Sequence, residues 1–280
     1  MQNIFVLDKN VKNTAHQNCT ISILTGQDGY CFSVKDRQEN RFMGLRSVSL
    51  DKAAEPAEVI EGLEAFIRDI WGEDKPVDIK HLVMAGAETL LLPKAFSQGN
   101  SLKEIMAFHF PDRTGKEIVS TSFPQQDFIL AGLVDEHLKN TLEAKTMPQK
   151  TELSQASLIR SALKYTGQGK KDAVFVQVWK GYADMLVFKN GVPALFNTYA
   201  HRYGNDLVYY VLNLYKQLML DPKNCPLMFS GWIDKNETAM VQLNKFIKNI
   251  YLETLNTEKK YSYQFQDIMP HYFVNFLNVD

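Results

Sequence analysis

Ala173-Val-Phe-Val-Gln-Val178, Met185-Leu-Val-Phe188 and the stretch from Val192 to Thr198 decide how this chain is read. The first two are apolar runs too short for helices and rich in β-branched and aromatic residues, as buried strands are. Trp179-Lys180-Gly181-Tyr182 turns the chain between them. Asn190-Gly191 joins the second run to the third, and that pair is the strongest short hairpin signal in the sequence. Leu207, Tyr210, Val211, Leu214 and Leu218 then recur at helical spacing. Three meandering strands and a helix are therefore expected. Upstream the same order occurs again. Cys19 to Thr25 alternates like a half-buried strand, Gly26-Gln27-Asp28-Gly29 turns, Tyr30 to Val34 returns, and Arg41 to Leu45 makes a third strand. Val59, Ile60, Leu63, Phe66, Ile67 and Ile70 supply the helix, after an acidic start at Glu55 and Pro56. Such self-similarity at half-length points to duplicated α/β units.

The pattern pauses at Lys145-Thr-Met-Pro148, so two lobes are expected, residues 1–148 and 149–280, with the C-terminal helix able to pack back on the first. Further strands are expected at His81–Ala85, Glu117–Thr121, Phe128–Ala131 and Leu227–Phe229. Helices are expected over Leu133–Leu142, Ser154–Tyr165 and Met240–Ile250, and the polar residues before Asn18 read as loose chain. With 45% hydrophobic residues, 17 Phe and 12 Tyr, the 280-residue chain can bury a large core. Its 31 basic and 32 acidic residues leave a net charge of -1, which gives no field for a polyanion and argues against nucleic acid as a partner. No apolar run reaches the ~20 residues that span a bilayer, so no membrane insertion is expected. The start at Met1 lacks the basic and apolar segments of a signal peptide, and a cytoplasmic location follows as the expectation. A hairpin turning at Gln27-Asp28 would set Leu24 opposite Cys31 and Cys19 opposite Asp36, too far apart for a disulfide. The six His are scattered singly and predict no metal site.

The duplicated strand–turn–strand–strand–helix unit resembles the actin-like ATPase superfamily of actin, chaperone ATPases and sugar kinases. In that pattern a strand ends in Asp before a glycine turn, and a second glycine follows ten residues later. Here Gln177 ends the strand, Gly181 turns, and Gly191 follows ten residues on. The superfamily's later helix opens Gly-x-Asp-Leu, matched by Gly204-Asn205-Asp206-Leu207, and its adenosine-site strand ends Ser-Gly-Gly, where this chain has Ser230-Gly231-Trp232. Asp206-Leu-Val-Tyr-Tyr210, Leu227-Met-Phe-Ser-Gly-Trp-Ile-Asp234 and Gln27-Asp28-Gly29 resemble, more narrowly, a bacterial domain-of-unknown-function family with an actin-like fold. The resemblance implies an α/β, ribonuclease-H-like duplicated fold, each lobe a mixed sheet flanked by helices, and no established activity.

Three departures from the active pattern stand out. Phosphate binding in such sites needs glycine turns with free N–H groups and carboxylates at the strand ends to organise hydrated Mg²⁺. The strand ends here are Thr25 and Gln177, both neutral. Asp28 and Asp184 are displaced along the sequence and read as turn and strand-edge residues. Trp232 stands where the backbone must approach a base, and reads as a side chain that fills the cleft or packs in the core, with stacking on a base as the alternative. The candidate degenerate cleft is therefore Thr25, Asp28, Gly29, Gln177, Lys180, Gly181, Gly204, Asp206, Ser230, Gly231 and Trp232, with no catalytic residue and no cofactor.

Other signals are weaker. Gly167-Gln168-Gly169-Lys170-Lys171 follows a helix and precedes a strand, the reverse of a P-loop, and reads as a linker. His201-Arg202 invites an anion at a helix N-terminus, but Asn205 or Asp206 can act as the cap. The aromatic tail from Tyr261 to Phe276 reads as core or docking surface. A pseudo-enzyme acting on a protein partner is expected. The alternative is a divergent nucleotide-binding protein, whether ATPase, small-molecule kinase or sensor, using displaced residues such as Asp28 and Lys180.

Overall fold

A computed structural model describes residues 3–97, 100–167 and 171–279. The first half runs β1 (Ile4–Leu7), β2 (Cys19–Gly26), β3 (Gly29–Asp36), β4 (Arg41–Ser49), α1 (Pro56–Trp71), β5 (Asp78–Met84) and β6 (Thr89–Pro93). It continues with α2 (Ser101–His109), β7 (Lys116–Ser122), β8 (Phe128–Asp135), α3 (Glu136–Thr146) and β9 (Lys150–Leu153). The second half runs α4 (Gln155–Gly167), β10 (Ala173–Val178), β11 (Tyr182–Lys189), β12 (Val192–Ala200), α5 (Gly204–Gln217), β13 (Leu227–Gly231) and α6 (Thr238–Leu243). After these come β14 (Ile250–Leu252), β15 (Lys260–Tyr261) and α7 (Pro270–Leu277).

Duplication shows in the strand order. One sheet contains β4-β3-β2-β5-β9 and the other is β12-β11-β10-β13-β14. In both, three antiparallel strands are followed by two parallel ones. The first sheet gains β1 and β15 against β4, and β6-β8-β7 form a separate antiparallel sheet.

Helix α1 shows how the residues make these elements. Glu55 and Glu58 cap its start reciprocally, Pro56 fits the first turn, and Gly72 ends it at φ 79°. Its apolar stripe buries Val59, Leu63, Phe66 and Ile70, and Phe66 stacks on Phe32 with ring centroids 5.8 Å apart. Four such side chains contribute roughly 1.5–3 kcal/mol each when fully buried. Leu207, Val208, Val211, Leu214 and Tyr215 do the same for α5 in the second core.

The expected hairpin register is present: Leu24 opposes Cys31, Cys19 opposes Asp36, and Cys19, Cys31 and Cys225 are free thiols. Other expectations need correction. The residues before Asn18 are not loose, because β1 pairs with β4 and Val11 is buried. Leu133–Asp135 complete β8, and α3 starts only at Glu136 because the Asp135 carboxylate accepts the Leu138 N–H at 2.6 Å. Met240, Leu243 and Ile247 are all buried, yet α6 stops at Leu243 and Ile250 begins a strand. The aromatic tail, expected as core or docking surface, is mostly core: Phe265, Phe273 and Phe276 pack with Leu24, Cys31, Phe42, Leu45 and Val83 of the first sheet, while Tyr263 is exposed. Most of the supposed linker, Gln168 to Lys170, lies outside the described residues. Among the described residues no helix is long and apolar enough to cross a membrane.

Candidate functional site

The two hairpin turns, Gly26–Gly29 and Trp179–Tyr182, approach each other. Between them Asp28 is fully buried, and its Oδ2 accepts the Lys180 backbone N–H at 3.3 Å, the long end of hydrogen bonding. An amide of the second turn is thus directed at a carboxylate of the first. The turns themselves depend on glycine. Gly29 has φ 126° and a Cβ there would overlap the Val48 carbonyl, whereas Gly181, at φ 89°, has open space around it.

Beside this contact lies a buried polar network that sequence reading placed wrongly. Asp184 is not a strand-edge residue. It sits inside β11, fully buried and directly opposite Gln177. Thr198 donates to its Oδ1 at 2.6 Å, while the Trp179 indole (2.9 Å) and the Gln155 amide (3.1 Å) donate to its Oδ2. Gln155 also donates to the Gly86 carbonyl at 2.7 Å, and Thr198 meets Thr89 at 3.4 Å. Burial pushes the Asp184 carboxyl up to about 6, although the three hydrogen bonds pull it down. Trp179 and Tyr182 are 4% and 3% exposed, stack at 6.0 Å and pack in one core cluster with Leu24 and Cys31 of the first hairpin. Burial holds the Tyr182 phenol well above its usual range, and the Asp184 and Asp28 charges add to that. Among the described residues, Thr25 Oγ1, Gln177 Oε1 and the Tyr182 hydroxyl are buried without hydrogen-bond partners.

An open cleft of about 700 Å³ remains on the second half. Of the sequence candidates, Lys180, Gly181, Gly204 and Trp232 line it, with His201, Arg202 and Tyr272. Trp232 does not fill it. The indole lies half-buried on the wall, 4.7 Å from Tyr272 and 5.6 Å from Phe273 between ring centroids. Trp179, a residue that sequence reading missed, lines the same cleft while its indole donates to Asp184. Its signal was available: Tyr182 and Asp184 share one face of an otherwise apolar strand, and a charge in that setting calls for donors. The remaining candidates lie outside the lining. Thr25 and Gln177 are the penultimate residues of β2 and β10. Ser230 accepts from Asn275 at 2.9 Å, and Gly231, at φ 82°, packs against the Val178 carbonyl. Asp206 caps α5 by accepting the N–H groups of Arg202 (2.9 Å) and Tyr203 (3.1 Å), which hold its carboxyl below the usual range.

The chain belongs to the family described as Protein of unknown function (DUF3822), which matches residues 6–250. Comparison with curated proteins finds no match. Among solved structures, the chain is similar to a Bacteroides thetaiotaomicron protein with actin-like ATPase fold and unknown function. The two are 16% identical over 95% of this chain and 97% of that one, with a TM-score of 0.71. It is also similar to a chain of the PilM–PilN type IV pilus biogenesis complex: 10% identity, 92% of this chain and 97% of that one, TM-score 0.64. The chain therefore has an actin-like ATPase fold.

That fold family implies a magnesium nucleotide, and the residues present do not fit one at the turns. The strand ends carry no charge, Asp184 is engaged by three donors behind Trp179, and the Lys180 N–H is taken by Asp28. Among the described residues no three His, Cys, Asp or Glu side chains converge as a metal site requires.

Proposed function

We propose that this chain is a non-catalytic actin-like module that works by contact with a protein partner. Its lobes divide near residue 148, and its place of work is the cytoplasm. One observation carries the non-catalytic reading: a carboxylate of the protein itself, Asp28, accepts the Lys180 amide that a phosphate would otherwise need. A tethered anion at that position competes with any phosphate without paying the entropy of association. Free thiols at Cys19, Cys31 and Cys225 suit a reducing compartment. Balanced charge gives no support to a nucleic-acid partner. The likeness to a chain of a two-protein pilus biogenesis complex supports the protein-partner half of the reading.

A nucleotide sensor is the second reading, favoured by the open cleft. Lys180, Arg202 and the start of α5 gather there, and the His201 Nε2 and Trp232 Nε1 are buried without partners among the described residues. Thermal shift with Mg-ATP, ADP and GTP, paired with a phosphate-release assay, separates the two. Under the first reading neither moves, whereas a ligand at a hundred times its Kd would add about 2.7 kcal/mol. Turnover that disappears in Asp28→Ala would replace the first reading with an enzyme. In-cell crosslinking, followed by reassembly from purified components, tests the partner directly.

A further inference from the structure

Away from both turns, a second cavity of about 800 Å³ opens between α4, β14, the segment that follows it and α7. Its walls carry both charge signs, so the pairing decides what it can recognise. Arg160 is matched by two bonds to Glu152, at 2.6 and 3.1 Å, and Lys164 by Glu258 at 2.5 Å. Glu253 has no such match. Ser230 hydrogen-bonds to its carboxyl, and the Asn275 amide donates to Ser230 in turn at 2.9 Å. The other oxygen, Oε2, is buried and finds no partner among the described residues. Two further lining residues hold buried orphan atoms, the Asn278 Oδ1 and the Arg160 Nε. The remaining wall is largely apolar, with Phe175, Met228, Leu252 and Val274.

An unmatched carboxylate and one further buried acceptor, the Asn278 Oδ1, call for a compact donor with a positive charge. The apolar wall calls for a hydrocarbon shank, and the Arg160 N–H for an acceptor elsewhere on the ligand. We propose that this cavity binds an aliphatic primary amine that also carries an oxygen acceptor, with its ammonium on Glu253. The chemistry is that of a free amino alcohol or of a lysine side chain with its own backbone carbonyls.

Burial pushes the Glu253 carboxyl up to about 7, so ammonium binding expels its proton at and below neutrality. Charged and titratable neighbours on the cavity are Arg160, Lys164 and Tyr165 of α4, Tyr251 of β14 and Glu258. From α7 and the residue that caps its end the wall receives Val274 and Asn278, neither of them titratable. The amine should therefore bind more tightly as pH rises from 5 to 7, by up to about tenfold per unit, and level off above.

Titration calorimetry of the full chain with 5-aminopentan-1-ol tests this, with 1,5-pentanediol as the matched neutral probe and capped lysine as a second arm. The amine is expected to bind at one site with proton release, visible as buffer-dependent heat, and the diol at least about tenfold more weakly. Capped lysine binding as well as the free amino alcohol identifies a protein side chain as the natural source. Weaker binding identifies a small molecule. Glu253→Gln should lower amine affinity about tenfold or more, while Glu61→Gln on the exposed face of α1 leaves it unchanged. Where Glu253→Gln does not fold, Thr254→Trp at the exposed rim should block binding instead. Equal binding of amine and diol, full affinity in both Glu253→Gln and Thr254→Trp, or no binding to the wild type overturns the proposal.

Discussion

Asp184 is a carboxylate removed from water and surrounded by donors, and the two effects oppose each other. Burial wins, raising its carboxyl from 3.8 to about 6. The raised value means that the folded state takes up a proton before the unfolded chain does. Its contribution to stability is therefore fully present below about pH 4 and lost as pH rises through about 6. Taken alone, the loss is on the order of 3 kcal/mol. Asp184→Asn should keep the network, because its amide can donate to Thr198, which can pass a hydrogen bond to Thr89. Denaturant melts between pH 4 and 8 should show wild-type stability falling across this window and a flatter profile in the variant. A residual slope is expected from Glu253, which titrates about a unit higher. Asp184→Leu leaves the Trp179, Thr198 and Gln155 donors buried without their acceptor and should cost about 3 kcal/mol or more. Equal pH slopes in wild type and Asp184→Asn would show that the carboxyl does not titrate in this range.

Turns and strands set the next scale, where glycine carries the constraint. Gly231 and Gly181 both have positive φ, 82° and 89°, but their surroundings differ. A Cβ at Gly231 overlaps the Val178 carbonyl in the paired strand, whereas one at Gly181 meets nothing within 4 Å. Gly181→Ala should therefore cost only the left-handed backbone, about 1 kcal/mol, and Gly231→Ala distinctly more, since β13 must shift against β10. Thermal melts of the two variants check the order, and equal losses would contradict it. These elements were legible in the sequence because their periodicity and turn residues agree: Asn190-Gly191, the Leu24–Cys31 register and the α1 stripe all express local preferences. The elements that escaped notice depend on distant partners. β1 and β15 are edge strands held by β4, and β9 and β14 are three or four residues long; α6 is an expected helix, but it ends at Leu243, earlier than its apolar spacing suggests. The candidate site was legible only in part for a related reason. Missing carboxylates at Thr25 and Gln177 can be read from a strand end, but the role of Trp179 appears only once folding sets Gln155 and Thr198 beside it on Asp184, with Gly86 and Thr89 of the first half behind them.

Across the whole molecule, those same residues tie the duplicated units together. Gln155 bonds Gly86 of the first half and Asp184 of the second, Thr89 meets Thr198, and Asp28 accepts from Lys180. A nucleotide-driven fold of this kind needs halves that change their relation when a ligand arrives. Among the described residues these links are made by groups of the chain itself, and on the proposed reading they hold without a ligand. Gln155→Leu removes the amide that serves both halves and leaves Asp184 with one donor fewer. The cost should be about 2–3 kcal/mol, as for a buried hydrogen bond to a charged group. Loss of hydrogen-exchange protection should then appear at both turns, around residues 26–29 and 179–182, although only one side chain has changed. Deprotection confined to the start of α4 would mean that the halves are held by their apolar contacts and that the polar network is incidental. In the wild type, exchange maps with and without Mg-ATP should superimpose, because the links are closed before nucleotide is added. Protection gained at both turns with Mg-ATP would show that they open and re-form around a ligand, and would move the reading from a fixed module to a nucleotide-gated one.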